Sequence, residues 1–347
     1  MTEGGRGTAV VPESWTREQL SLKARLISDD AISCRCDHTL SLLPPLDRGH
    51  FCQASGSLFG GCDLTEPADG VTSAVGSYVV VDSDLRVVHE VHEDVKVNEA
   101  YVPGYLSFRE APPLLPLLDS LPAPPSCLLC DGNGTLHPRG LGFASHLGIL
   151  LGERLKRAIP TVGVSKNLHC FPGLRCSLCP GVDVTANMVK GIFRSYIACW
   201  MTGGLRHVVC GVSDDSAILI LDSCGSSFMK TVGEGSNAAA AAAFDVAGGK
   251  GKPLAAPPPP AAVLYLFCDE SSASSPCGAA FLKGGGGSVN PIFVSVGHNI
   301  GLRASLHVVN KLSLRRVPEP IRLADKGGRE KIRKMQQEKE RGPSSAI

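Results

Sequence analysis

Residues 127–134 read Cys-Leu-Leu-Cys-Asp-Gly-Asn-Gly, and the fold class turns on this run. Residues 127–130 form a short, uninterrupted apolar stretch, the pattern of a strand buried on both faces. Asp131 stands at its exit and two glycines follow. Residues 140–157 then carry small and apolar side chains at helical spacing, and 160–164 form a further apolar strand. Upstream, 71–81 and 85–91 are rich in Val and separated by Asp82-Ser-Asp84, which predicts a hairpin. Residues 57–63, Ser-Leu-Phe-Gly-Gly-Cys-Asp, predict another strand ending on a carboxylate. A hairpin followed by alternating helices and strands predicts a mixed α/β sheet with helices on its faces.

Outside this region the pattern is sparser. Residues 16–26 predict an amphipathic helix. Thr16 and Gln19 fit a capping box there, with Trp15 and Leu20 at the two positions of a hydrophobic staple. Apolar residues over 103–121 predict a helix interrupted near Pro112-Pro113. Strand-like runs recur at 263–267, 278–282 and 291–296, and 300–312 predicts a last core helix. Residues 326–341 hold seven basic and three acidic side chains and predict a solvated helical extension. Residues 28–57 and 172–262 show no clear period and read as insertions. The second of these carries six alanines at 238–243 and four prolines at 257–260, so 236–262 read as low complexity. The expected organisation is a tail over 1–12, one catalytic domain over 13–335 and a flexible tail over 336–347.

Composition limits the function. The 347 residues are 43% hydrophobic, enough for a core, and 34 Lys and Arg against 33 Asp and Glu leave a net charge of +1. That balance excludes a uniformly basic nucleic-acid binder while permitting a locally basic one. The 39 glycines and 25 prolines exceed ordinary usage. No basic-then-apolar leader is visible at the start and no apolar run approaches membrane-spanning length. The expectation is a soluble intracellular protein with no membrane partner, in the cytoplasm, the nucleus or both, with most of its 14 cysteines reduced. His169, Cys170, Cys176 and Cys179 offer four ligands for a structural zinc. No second ligand pair stands at finger-like distance, so scattered thiols are the favoured reading.

Three carboxylates carry the chemical signal. Asp63 and Asp131 each end an apolar strand, and Glu110 closes Phe108-Arg-Glu110. A strand-end Asp alone is most often a turn residue. As a cluster, however, the three would supply hard oxygen ligands for Mg²⁺, or Mn²⁺ in its place. The glycine-rich 131–134 and 140–146 allow backbone to approach a phosphate or a base edge.

Four segments in order sharpen this: Tyr101-Val-Pro-Gly-Tyr-Leu-Ser-Phe-Arg-Glu110, the run from Asp131-Gly-Asn-Gly134 to Gly148, Val162-Gly-Val-Ser-Lys166, and Val294-Ser-Val-Gly-His298. Together they resemble the endonuclease V family, and residues 13–26, 60–63 and 318–325 extend the resemblance. The resemblance implies an RNase H-like fold. It also implies metal-dependent cleavage of strands containing inosine or deoxyinosine, at the second phosphodiester 3′ to the modified base, leaving 3′-hydroxyl and 5′-phosphate ends; single-stranded RNA or DNA is the expected partner and a monomer the expected state. By position it assigns Asp63, Glu110 and Asp131 to the metal, Lys166 to the scissile phosphate and His298 to the active site. Tyr101, Pro103 and Gly104 match the wedge that fills the gap left by the extruded base. Gly104, Leu106, Gly132, Gly142 and Phe143 match the base pocket, with His137 a catalytic or substrate-contact position. Leu64-Thr-Glu66 departs from the family, which has an aromatic in place of Glu66. A catalytically inactive binder of inosine-containing RNA, using the same pocket, is the alternative reading.

Overall fold

The computed structural model describes residues 11–28, 57–67, 73–119, 125–176, 178, 182–201, 207–211, 217–222, 227–231, 262–268, 276–283 and 288–341. Most of 28–57, and all of the low-complexity stretch 236–262 except Ala262, therefore lie outside the described residues.

Three parallel strands form the centre. They are β1 (Phe59–Thr65), β4 (Cys127–Asp131) and β5 (Thr161–Ser165). In the middle strand Leu128 and Leu129 face opposite sides, and both are fully buried. The alternating side-chain direction of a strand demands cover on both faces, which is why the run lacks polar residues. On one flank β2 (Ser73–Val81) and β3 (Val87–Lys96) continue the sheet as an antiparallel hairpin. On the other come β12 (Ile292–His298), β11 (Gly278–Leu282), β10 (Ala262–Phe267) and the two-residue β6 (Arg175–Cys176), all antiparallel. The nine strands run in the order β3-β2-β1-β4-β5-β12-β11-β10-β6, so the C-terminal strands enter beside β5 instead of at an edge. A separate antiparallel sheet holds β7 (His207–Gly211), β8 (Ala217–Asp222) and β9 (Ser227–Thr231).

Helices cover both faces. On one, α2 (Leu106–Asp119) and α3 (Phe143–Leu155) bury Ala111, Leu114, Leu118, Leu147 and Leu151 against Cys62, Tyr78, Leu128 and Cys130. On the other, α5 (Leu302–Leu312) and α6 (Glu319–Arg341) bring Val308, Leu312, Ile321 and Ala324 against Phe59, Leu129 and Val162. The start of α4 (Ala186–Met201) contributes Val189, Ile192 and Phe193 to a third cluster with Leu264, Leu266 and Phe293. A disulfide links Cys268 to Cys277 across the β10–β11 connection, an exception to the expected reduced thiols.

Two helices differ from expectation. Helix α2 runs unbroken through Pro112, Pro113 and Pro116. Pro112 and Pro116 lie one turn apart on its exposed side, while Ala111, Leu114, Leu117 and Leu118 are buried. Packing of that apolar side outweighs the local cost of the prolines. Helix α1 (Glu13–Lys23) begins three residues before Thr16, at Glu13, and Pro12 at its N-cap offers no side-chain bond. The expected capping box and staple are absent because their residues are engaged elsewhere. Trp15 stacks on Phe108 at 4.7 Å, Thr16 bonds the Tyr105 hydroxyl at 2.7 Å, and Leu20 is exposed. At the other end of the chain, α6 continues to Arg341.

Candidate active site

The parallel strands β1, β4 and β5 all end at one edge of the sheet, and the polar residues that follow their apolar runs collect there. Asp63 sits beside Asp131 because Cys62 and Cys130 are register partners. Glu110 reaches the same place from α2, and Lys166 follows β5 directly. Lys166 Nζ donates to Asp131 Oδ2 at 2.7 Å, and the Thr65 hydroxyl donates to Asp63 Oδ2 at 3.0 Å. Burial, and then the Asp131 charge, raise the Asp63 carboxyl to about 6. Glu110 is raised well above the usual carboxylate range, first by burial and then by Asp63 and Asp131. Burial opposes the Lys166 ammonium, yet the Asp131, Asp325 and Asp63 carboxylates hold its pKa above the ordinary value.

Asp325 was not among the residues picked from sequence. It lies on α6, and its charge acts on both Asp63 and Lys166. Its Oδ1 also accepts from Arg329 Nε at 2.9 Å. What brings α6 so close is Gly61 in β1, which lies directly against the Pro320–Ile321 backbone. The visible signal was an Asp closing the 318–325 stretch, but nothing local to that stretch shows which strand it crosses.

His298 requires a correction. Strand β12 is antiparallel to β5, with Phe293 opposite Ser165 and His298 opposite Thr161. The histidine is therefore at the start of β5, four residues from the carboxylate edge, or roughly 13 Å along a strand. There its Nδ1 accepts the Ile27 N–H at 3.2 Å, and burial followed by Arg25 lowers its pKa. It anchors the segment after α1 and is not part of the carboxylate cluster.

Beside the carboxylates lies a cavity between the first turn of α2, the loop after β4 and α1. Tyr101, Gly104, Leu106, His137, Gly142 and Phe143 line it. Gln19, Ser107, Asn133 and His169 complete the wall. Pro103 is exposed in the turn next to it, and Gly132 packs against Phe143 behind the wall. Tyr101 is 61% exposed at the rim. Gly104 adopts φ +80°, and its carbonyl oxygen accepts from Gln19 Nε2 at 3.2 Å, His137 Nε2 at 3.0 Å and Arg139 Nη2 at 2.6 Å. The Arg139 guanidinium also stacks 4.1 Å above the Tyr105 ring. Burial, then Arg139, lowers the His137 pKa to about 4, which keeps the ring neutral with Nε2 protonated. His137 is thus fully engaged in holding Gly104, not free for proton transfer. Glu66, in the place of the expected aromatic, accepts from Arg109 Nε at 2.8 Å and ties the end of β1 to α2.

Among the described residues no three His, Cys, Asp or Glu side chains are arranged to hold a metal ion. His169, Cys170 and Cys176 form no such group, and the fourth candidate zinc ligand, Cys179, lies outside the described residues. The carboxylates nevertheless fit a hard divalent cation in chemistry. Asp63, Glu110 and Asp131 act on one another, and Asp325 and Lys166 act on Asp63, so four carboxylates and one ammonium share this locus; burial first and mutual charge second raise Asp63 and Glu110.

The family model described as Endonuclease V matches residues 48–192 and 266–326. Human Endonuclease V is 28% identical over 326 residues, spanning 92% of this chain and 83% of the relative. The Streptomyces avermitilis Endonuclease V is 48% identical over 98 residues, 28% of this chain. In that case and in the closely similar Trichormus variabilis match, the chain spans only 40% and 46% of the relative's length. The solved catalytic domain of human Endonuclease V superposes with a TM-score of 0.59 at 27% identity, covering 94% of this chain and 99% of that one. The Ciona intestinalis Endonuclease V, solved in complex with a 24mer DNA containing an inosine followed by a ribo-adenosine, gives 0.58 at 24% identity, covering 93% and 98%. The sheet and its flanking helices are the single-domain, RNase H-like fold of these neighbours. On the family match, which covers more than half of its residues, the chain belongs to the endonuclease V family.

Proposed function

We infer that the protein is a divalent-metal-dependent endonuclease acting on nucleic acid that contains inosine or deoxyinosine. It cuts the second phosphodiester on the 3′ side of the base and leaves 3′-hydroxyl and 5′-phosphate ends. The observation that carries this reading is the adjacency of two sites. A carboxylate cluster with a paired lysine and a cavity whose rim presents Tyr101 share two segments, since Asp131 and Asn133 stand together at the exit of β4 and Ser107 and Glu110 both lie on α2. The Ciona relative's complex with inosine-containing DNA supports the substrate class.

Each residue has a task in this reading. The extruded base enters the cavity between Leu106 and Phe143, while Tyr101 stacks on the bases left behind and offsets part of the unstacking cost. The Gly104 clamp fixes the backbone next to that ring. Asp63, Glu110, Asp131 and Asp325 would hold Mg²⁺, or Mn²⁺ as a substitute. The ion supplies Lewis-acid stabilisation of phosphate charge and lowers the pKa of water. Lys166, held at the edge of this cluster by its bond to Asp131, would place its charge against the negative charge growing on the phosphate. Thr65 holds the Asp63 carboxylate in orientation.

Purified protein incubated with end-labelled strands, ribo and deoxyribo, matched except for inosine or adenosine at one position, tests this. Cleavage confined to the inosine strands, dependent on Mg²⁺ or Mn²⁺, is expected. Tight binding of the inosine strand with no incision in either metal would establish the inactive-binder alternative instead.

A further inference from the structure

Lys166 stands where the sheet has stopped holding the chain. The last register pair of β5 with β12 is Ser165 with Phe293, and the last with β4 is Val164 with Asp131. Pro291, just before β12, has no N–H with which to carry that ladder on. The lysine backbone therefore lies one residue past its last rung on one side and two past it on the other. Its side chain is a flexible four-carbon stem that ends in the 2.7 Å bond to Asp131. The point from which that stem starts needs a separate anchor.

Arg316 supplies it. This residue lies in the connection between α5 and α6, and its Nη2 donates to Lys166 O at 2.6 Å and to Pro291 O at 3.0 Å. One guanidinium nitrogen thus joins the two chains where the β5–β12 ladder ends, as a backbone N–H would inside the sheet. The placement is unfavourable in every other respect. Its Nε is out of solvent and unbonded, burial lowers its pKa, and among the described residues no carboxylate pairs with it. Arg322 and Arg329, on the helix that follows, each pair with a carboxylate, Glu319 and Asp325. A half-buried cation without a counter-charge is disfavoured, so the two carbonyl bonds are what account for this one.

We propose that Arg316 is a positioning residue for cleavage: by bonding the Lys166 and Pro291 carbonyls it fixes the backbone from which the Lys166 ammonium reaches the carboxylate cluster. This deepens the endonuclease reading above and rests on it for the task of Lys166. Among the described residues Arg316 makes no bond to Asp63, Glu110 or Asp131, and it does not line the cavity. Its effect on the reaction therefore passes through Lys166. A charged group displaced by about 1 Å from its working position can cost on the order of 10²-fold in rate. An effect carried by one side chain disappears when that side chain is removed, which gives non-additive substitutions.

Single-turnover cleavage of an inosine strand in Mg²⁺ by wild type, Arg316→Met, Lys166→Gln and the double variant tests this. Arg316→Met should slow cleavage about 10- to 100-fold, while strand binding, followed by fluorescence anisotropy, changes less than about threefold. Added to Lys166→Gln, it should slow cleavage by less than about threefold more. Arg316→Lys keeps the charge but ends one bond short of Nη2, so it should slow cleavage at least about threefold. It also takes the place of Arg316→Met in the cycle where the methionine variant does not fold. A charge acting directly on the phosphate would leave Arg316→Lys at the wild-type rate and make the Arg316 and Lys166 substitutions additive, and either result overturns the assignment. Hydrogen exchange of the metal-free protein reads the placement without cleavage. In the Arg316 variant residues 164–168 should exchange at least about fivefold faster, with 127–131 unchanged. Equal exchange at 164–168 overturns the proposal whether or not the protein cuts. A wild type that cuts no inosine strand, with faster exchange in the variant, defeats only the endonuclease reading.

Discussion

Replacing Gly61 by alanine tests how the site is assembled. Gly61 lies in β1 two residues before Asp63, where α6 crosses the sheet with its Pro320–Ile321 backbone against the glycine. An added Cβ would lie 2.6 Å from both the Ile321 nitrogen and the Pro320 Cβ. Ordinary contacts of this kind are nearer 3.5 to 4 Å, so the start of α6 must lift by about 1 Å. Ile321 and Ala324 are fully buried on that side, and lifting them opens the packing against Phe59 and Leu129. Overpacking of a core typically costs 1–3 kcal/mol. At roughly 2–4 °C per kcal/mol for a domain of this size, the melting temperature should fall by about 3–10 °C. Asp325 rides on the same helix, so cleavage should fall by more than the folded fraction accounts for. Gly191→Ala, at a helical position where a Cβ meets nothing within 4 Å, serves as the control and should be neutral or stabilising by up to about 1 kcal/mol. Calorimetry and cleavage rates on the two variants check this. A Gly61→Ala protein that melts within a degree of wild type and cuts at the wild-type rate would refute the claim that this contact sets the place of Asp325.

Other expectations follow from the same geometry. Lys166→Gln removes the cation paired with Asp131 and should lower the cleavage rate about 10²–10³-fold with little change in melting temperature, measured by single-turnover assay. Tyr101→Ala, at an exposed rim position, should leave stability unchanged while slowing cleavage of inosine in a duplex more than in a single strand. His137 and His146 are both held near a pKa of about 4 by burial, against 6.5 when unfolded. Between these values the unfolded chain binds more protons, so stability is intact above about pH 6.5 and is lost as pH falls toward 4. Each histidine costs on the order of 3 kcal/mol by the lower limit, and His146→Phe should flatten the acid limb of a denaturation series.

The parts of the fold that were legible in sequence are those where local pattern and tertiary environment agree. Residues 127–131 read as a buried strand ending on a carboxylate because both faces are covered and the chain exits at the site edge. The hairpin of β2 and β3 followed from Asp82 between two Val-rich runs, and Asp82 Oδ1 does accept from the Asp84 and Arg86 N–H groups at 2.9 Å. Helix α2 was obscured because three prolines argue locally for a break, whereas its buried leucines decide otherwise. Gln19 looked like a capping residue from its spacing to Thr16, yet a long-range bond to Leu141 claims it. The same limit explains the exchange of His298 for Asp325. Position in a strand gives no direction relative to its neighbours, and only the antiparallel pairing of β12 with β5 shows that His298 faces away from the carboxylate edge.

The most direct measurement of the central claim is a single-turnover cleavage assay of wild type and Asp131→Ala on one strand bearing inosine and on its adenosine counterpart, with Mg²⁺ and with chelator. The account predicts a single cut, one nucleotide beyond the 3′ neighbouring linkage of inosine, seen only for wild type with Mg²⁺ and absent with adenosine. Incision that persists in Asp131→Ala, or that survives chelation, would contradict it.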